Sequence, residues 1–359
     1  MPNNKVFGIG VIGLFMGKCA LSIHGHNEFF SEIRAICDID ETRLMKASKE
    51  FNVPLATTDY RVLIESKNVD IVAIFSPDHL HMEMIRAALK AGKHVICTKP
   101  MVTSLDDAVE VVELVKKYHV KFLVGQTRRF VKHHIEAKEL YESGAIGKPL
   151  FAEASYVHGD IWKVFDRGDW RYLAPQDMIY GAAVHPIDHL RWYFGDVEEA
   201  FAYGSESSVD LRYPQNKKMN YLINLKFKNG LIARVLSATG IVEQPYGSTN
   251  DIYPGEGFSV FGTNGTITNR HARYFIEGDR RKPAIVDFSK EQDVIDFDGK
   301  EYTGHTASVF KYIREMEECI IQDRPAKINE IEGAKAISTC YACEQSIITG
   351  TPVAVFNDF

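Results

Sequence analysis

The sequence predicts a two-domain α/β protein, in which a doubly wound parallel sheet is followed by a second α/β domain built on a meandering sheet. Three observations carry this. From Val6 to Gly125 short apolar runs alternate with helical runs, the pattern of parallel strands joined by crossover helices. Beyond Pro149 the runs have β-type composition, and Asn229-Gly230 between two of them is a strong hairpin turn. Finally, 359 residues exceed one ordinary core, so about two domains are expected, divided between residues 125 and 126.

Hydrophobic residues make up 45% of the chain and charged residues 25%, a balance that can bury a sizeable core. A formal net charge of -6 argues against a nucleic-acid or anionic-membrane partner, because both need concentrated Lys and Arg. A small molecule is the expected partner. No run approaches the roughly 18 apolar residues of a membrane span, and the first residues lack a secretory pattern, so a cytoplasmic location is expected. The 6 cysteines are scattered and read as reduced, mostly buried thiols. Cys340 and Cys343 form a C-x-x-C inside a helical run, with no second pair or histidine nearby. No His, Cys and carboxylate cluster has ligand spacing, so no metal is expected.

In chain order, the apolar run Val6 to Ile12 ends in Gly13-Leu14-Phe15-Met16-Gly17, with a helix expected from Lys18 to Ile23. Such a turn aims backbone N–H groups and the positive end of a helix at an anion, as Rossmann-type domains hold a dinucleotide pyrophosphate. The literal G-x-G-x-x-G, Gly8 to Gly13, would cut the strand short, and that register is rejected. A second strand, Ile33 to Cys37, ends at Asp38, placed to accept from the ribose hydroxyls and to repel a 2'-phosphate. NAD is therefore favoured over NADP.

Helices are then expected over Glu41 to Phe51 and Tyr60 to Ser66, followed by the strand Asp70 to Phe75. That strand breaks at Ser76-Pro77, and His79 and His81 lead into a helix to Lys90, where helix initiation and cofactor contact are a better reading than a metal pair. The apolar run Val95 to Cys97 reads as a buried strand closed by Thr98-Lys99-Pro100, which puts Lys99 at the carboxyl end of a parallel strand, where such sheets bind ligands. Ser104 and Asp107 form a variant capping box for a helix to Tyr118, and Lys121 to Gly125 is the last strand of the domain.

These blocks resemble the glucose-fructose oxidoreductase and inositol dehydrogenase (Gfo/Idh/MocA) family. The likeness runs through Gly10 to Gly13 with Phe15 to Gly17, Ile36 to Asp38, Ser76 to His81 and Ala91 to Pro100. It continues through Arg128 to Phe130, Gly144 to Gly147, Asp169 to Arg171 and His185 to Asp188, and reaches Thr349-Gly350. It implies a nucleotide-binding domain followed by an α/β domain with an open, mostly antiparallel sheet that carries the substrate site and often an oligomer interface, here in a homodimer or homotetramer. By position it implies that Lys99 and His185 are the catalytic pair and that Arg129, His158 and Trp162 line a sugar site; Asp160, Asp177 and Asp188 are the candidates for a substrate-binding carboxylate, with Asp188 sharing the helix of His185. The chain departs from the pattern in three places: Phe15 replaces a glycine of the turn, Thr98 the glutamate before the lysine, and Gly181 an aspartate four residues before His185.

In the second domain, strands are expected over Pro149 to Tyr156, Tyr221 to Phe227, Leu231 to Leu236 and Phe258 to Phe261, and a helix over Ala182 to Phe194. His185 and Asp188, three apart, share a face of that helix. The Gly- and Pro-rich stretch Tyr246 to Gly257 reads as a binding lid. With the resemblance, the leading expectation is an NAD-dependent dehydrogenase acting on a secondary alcohol of a sugar, sugar derivative or cyclic polyol. Two alternatives stand beside it: a glycoside-cleaving enzyme working by transient oxidation and elimination, and a non-catalytic NAD-binding regulator.

Overall fold

A computed structural model describes residues 7–159, 170–207, 209–242, 257–288, 294–297 and 299–359. The chain divides into two compact units, and a single cut does not separate them. The first comprises Met1–Thr127, Asp293–Ala334 and Phe359, the second Arg128–Gln292 and Lys335–Asp358. The first of these divisions lies two residues after the 125/126 expected from the sequence, and a distant stretch belongs to the first unit.

The first unit is built on six parallel strands, β1 Phe7–Ile12, β2 Ser31–Cys37, β3 Leu55–Thr57, β4 Ile71–Ile74, β5 His94–Thr98 and β6 Phe122–Gly125. Their order is β3-β2-β1-β4-β5-β6. The strand order reverses at β1, and the crevice above the strand ends there is where such sheets receive ligands. β1 and β4 are buried along their whole length, as near-continuous apolar strands of a doubly covered sheet must be. The crossover helices are α1 Leu14–Leu21, α2 Glu41–Phe51, α3 Tyr60–Glu65, α4 His81–Lys90 and α5 Leu105–Tyr118.

Local chemistry sets where these helices begin. Asp40, Asp59 and Ser104 cap α2, α3 and α5 by accepting from the amides of Arg43, Arg61 and Asp107. α1 starts four residues earlier than the expected Lys18. Gly13, at φ +86°, turns the chain directly from β1 into the helix. A side-chain carbon at Gly13 would also lie 2.7 Å from the carbonyl oxygen of Phe75.

The second unit opens with α6 Lys132–Glu142 and carries the strand β7 Pro149–Val157, the short helix α7 Trp170–Leu173, a π turn over Ile179–Ala183 and the helix α8 Val184–Phe194. The strands β8 Val197–Glu206, β9 Lys218–Phe227, β10 Ile232–Ala238, β11 Phe258–Gly262, β12 Gly265–Thr268, β13 His271–Phe275 and β14 Pro283–Asp287 follow. The sheet runs β14-β13-β12-β11-β7-β10-β9-β8 and is antiparallel except for the β7–β10 pair. The Asn229-Gly230 turn joins β9 to β10, with Gly230 at φ +85°.

β15 Ile295–Phe297 and β16 Lys300–Tyr302 form a small ribbon, and α9 Gly304–Ile321 then packs in the first unit against α1, β5 and β6. Phe310 meets Phe29 edge-on at 5.6 Å, and the Tyr312 hydroxyl donates to Thr127 Oγ1 at 2.9 Å. α10 Glu330–Thr349 crosses the unit boundary, and β17 Val353–Ala354 adds to the edge of the nine-stranded sheet beside β8. Cys340 and Cys343 are buried on α10 as free thiols, and burial pushes both thiols up. Among the described residues no helix is long and apolar enough to cross a membrane.

Candidate active site

In the first unit the residues of the expected cofactor contact converge on the carboxyl ends of β1, β2, β4 and β5. The first amide of α1 bonded within the helix is that of Gly17, which donates to the Gly13 carbonyl. The Phe15 and Met16 amides therefore belong to the helix N-terminus, where an anion is favoured, and their side chains are exposed. Ser76 follows β4, and its hydroxyl is buried with no hydrogen-bond partner. A buried hydroxyl of this kind is costly unless something completes it, which fits a dinucleotide in this crevice. Pro77 and the exposed His79 complete that loop.

Asp38 is not the exposed acid that its position suggests. It is 5% exposed and fully engaged. One oxygen accepts from the Leu14 amide at 2.7 Å, the other from the Asp40 amide at 2.9 Å, and the Arg43 guanidinium spans both at 3.0 Å. The carboxylate thus ties the glycine turn to the end of β2. Arg43 also lies 5.9 Å over the Phe15 ring, so the residue that replaces a glycine of the turn is held by a cation–π contact.

Lys99 is half-buried at the end of β5, and Thr98 before it donates to the Ile74 carbonyl at 3.2 Å. His81 is the deepest of the residues expected at the cofactor. His81 is fully buried, and its Nδ1 and Nε2 lie 2.8 and 2.9 Å from the carbonyl oxygens of Pro100 and Ser76. It has no surface to offer a ligand.

In the second unit, α8 is buried along its length except at His185 and Trp192, which are half-exposed. The helix therefore leaves two side chains partly open, and one of them is a histidine in its first turn. His185 stacks on Tyr156, with centroids 5.0 Å apart and planes 16° apart. Tyr156 in turn lies 6.0 Å from His158, two residues on and just past the end of β7. Sequence reading missed Tyr156; the alternation of β7 up to His158 was the signal that could have found it.

Arg129 and Asp188, expected to line a sugar site, are instead locked on each other. Arg129 Nε and Nη2 donate to the two carboxylate oxygens at 2.8 and 2.7 Å, and the side chains are 6% and 2% exposed. The pair is a fork-to-fork tie from the start of the unit to the first turn of α8. Gly181, where the resemblance expects an aspartate, is buried in the π turn. Asp160, Trp162 and most of the expected lid, Tyr246 to Gly257, lie outside the described residues.

One turn beyond His185, His189 is fully buried, stacked on Phe258 at 4.2 Å and met edge-on by His134 at 4.6 Å. Neither of its ring nitrogens has a hydrogen-bond partner. Burial first, and then His134 and Arg128, hold its pKa well below the ordinary histidine value; burial, His133 and Arg128 do the same to His134. Both groups stay neutral in the fold and protonate when unfolded. Their contribution to stability is therefore lost as pH falls below about 6.5. The melting temperature is expected to fall between about pH 7 and pH 5, and less steeply in His189→Phe, which thermal scans across that range check.

Comparison with known proteins identifies the family. Residues 7–126 match the model of the oxidoreductase family with an NAD-binding Rossmann fold (Gfo/Idh/MocA), and residues 134–268 match the Gfo/Idh/MocA C-terminal domain. The chain is 31% identical to the myo-inositol 2-dehydrogenase of Thermotoga maritima over 272 residues, 72% of this chain and 74% of that one. It is 26% identical to the levoglucosan dehydrogenase of Pseudarthrobacter phenanthrenivorans over 304 residues, 76% of this chain and 75% of that one. A solved levoglucosan dehydrogenase in complex with NADH and levoglucosan shares the fold at a TM-score of 0.81 and 21% identity, over 98% of this chain and 99% of that one. With its glycine turn, its Lys99 at a strand end and its presented His185, the chain belongs to the Gfo/Idh/MocA family of NAD-binding oxidoreductases.

Proposed function

We propose that this protein transfers a hydride between NAD and a secondary alcohol of a sugar, sugar derivative or cyclic polyol, with Lys99 and His185 as its catalytic residues. The observation that carries the reading is the meeting of the Gly13 turn, the buried Ser76 hydroxyl and Lys99 at the carboxyl ends of the neighbouring strands β1, β4 and β5. The polyol and sugar class follows from the relatives named inositol and levoglucosan dehydrogenases.

Bound NAD supplies the hydride acceptor. The glycine turn and the α1 N-terminus would hold its pyrophosphate, and the buried Ser76 hydroxyl would be a further hydrogen-bonding group for it. Lys99 donates a charge-assisted hydrogen bond to the alcohol oxygen as negative charge builds there. His185 accepts the hydroxyl proton at a ring nitrogen, a task suited to an imidazole, which changes charge near neutral pH. Tyr156 keeps the imidazole in one plane, and the Arg129–Asp188 pair fixes the helix turn that carries it. On the outer face of the nine-stranded sheet Phe151, Tyr203, Leu222 and Ile232 are exposed, a surface suited to a second copy in a homodimer or homotetramer.

Incubation with NAD and a panel of sugars, sugar acids and inositols tests the reading by the appearance of NADH. Release of an aglycone without net NADH would replace it with the oxidation–elimination reaction. Tight NAD binding with no turnover on any member would leave the NAD-binding regulator.

NAD is the expected cofactor rather than NADP, because Asp38, Asp40 and Glu41 at the end of β2 outnumber the one guanidinium of Arg43. Titration should show tighter NAD binding. Asp38→Ala should weaken both cofactors, since it releases the Leu14 amide, and should narrow the gap by freeing Arg43. Equal affinities in the wild type would overturn the preference.

A further inference from the structure

The contacts of His81 favour one protonation state. A carbonyl oxygen can only accept, and both ring nitrogens face one, Nδ1 at 2.8 Å from Pro100 O and Nε2 at 2.9 Å from Ser76 O. A neutral imidazole has one N–H and one lone pair. In either tautomer it would set a lone pair against a carbonyl oxygen at hydrogen-bond distance, in a place with no exposure to water. The imidazolium alone donates to both. Cys97 Sγ, 3.5 Å from Nδ1, does not relieve that conflict, because a sulfur beside one nitrogen leaves the other nitrogen still facing the Ser76 carbonyl.

The position of this ring is as informative as its charge. The ladder between β4 and β5 ends at the pair Ile74–Cys97. Beyond it the chains enter two loops, one carrying Ser76 and Pro77, the other Lys99 and Pro100. His81 spans them. We propose that His81 is a clamp between these loops, protonated throughout the neutral pH range, and, through them, a positioning residue for Ser76 and Lys99.

The groups that face His81 are consistent with a charge there. Burial opposes it, but Cys97 on β5, Asp78 on the preceding turn and the Pro100 carbonyl outweigh burial and hold the pKa up to about 10. His79, on the same turn, responds in the opposite sense: burial lowers its pKa, Asp78 raises it and His81 lowers it. Because the folded pKa of His81 lies above the unfolded value of about 6.5, its contribution to stability is complete below that value and is lost as pH rises through about 10.

The kinetic half of this inference rests on the role proposed for Lys99; the protonation half does not. Nitrogen NMR of the full chain with labelled histidine, assigned through the backbone, is expected to show both His81 nitrogens protonated from about pH 6 to about pH 9, while His79 titrates below about 6.5. A neutral His81 ring at about pH 8 would overturn the clamp. In His81→Gln one amide nitrogen replaces two opposed donors, so turnover per NAD-binding site should fall by roughly 10-fold to 100-fold, the scale of a displaced rather than deleted group. The loss of stability toward about pH 10 should also flatten. A folded variant with wild-type turnover would overturn the positioning role, and if the variant does not fold the NMR result on the wild type decides. If the wild type turns over no substrate, the proposed function fails while the protonation result still stands or falls by itself.

Discussion

Replacing His185 with alanine is expected to lower turnover by about 100-fold to 10,000-fold while leaving NAD affinity nearly unchanged, the usual worth of a positioned acid–base group. Lys99→Ala removes a donor to the developing alkoxide and should cost roughly 100-fold to 1,000-fold. Both groups are assigned to one oxygen, so the double variant should be far less impaired than the product of the single effects. The pH profile gives an independent reading. Oxidation should rise through a pKa of roughly 6 to 8 in the wild type, and that limb should vanish in His185→Ala. If the limb survives there and disappears in Lys99→Ala, the lysine is the base. If both single variants keep wild-type turnover on a true substrate, the catalytic assignment is wrong.

Arg129→Ala is expected to act first on stability. It would leave the Asp188 carboxylate, 2% exposed, without the two donors that now satisfy it. Breaking one side of a buried pair typically costs about 3 to 5 kcal/mol, which for a unit of this size lowers the melting temperature by roughly 6 to 20 °C. Replacing both partners with Leu and Met should recover much of that loss, because it is the unpaired charge that is costly. Calorimetry of the two single variants and the double variant checks this. A drop of only a degree or two in Arg129→Ala would mean that water reaches Asp188 and that the pair is not an anchor for α8.

What was legible in the sequence was written locally. The span Glu41–Phe51 and the caps at Asp40 and Ser104 follow from periodicity and side-chain chemistry within one turn. Lys99 at a strand end follows from an apolar run closed by proline. The start of α1 was misread because Leu14, Phe15 and Met16 prolong the apolar character of β1, while the change of direction is made by the backbone of Gly13. Arg129 and Asp188 are 59 residues apart, and spacing cannot say that two polar side chains so separated will face each other rather than a ligand. The same holds for His81, whose partners come from a different strand end, and for Asp38, whose charge is met by a guanidinium five residues on.

The return of Asp293–Ala334 to the first unit makes the protein a poor subject for dissection. A fragment ending at Thr127 would contain the whole parallel sheet and every residue of the glycine turn, yet it would lack α9. Without that helix the apolar faces of α1, β5 and β6 would lie open where Phe310, Tyr312 and Met316 now cover them. Exposed apolar area of that extent favours self-association over a free nucleotide-binding module. Excising the second unit instead requires a splice between Lys335 and Ala334, inside a continuous helix, where both products would inherit a frayed end. Exchange of halves between relatives, by recombination or by design, therefore has to carry α9 and the first turns of α10 along with the amino-terminal sheet.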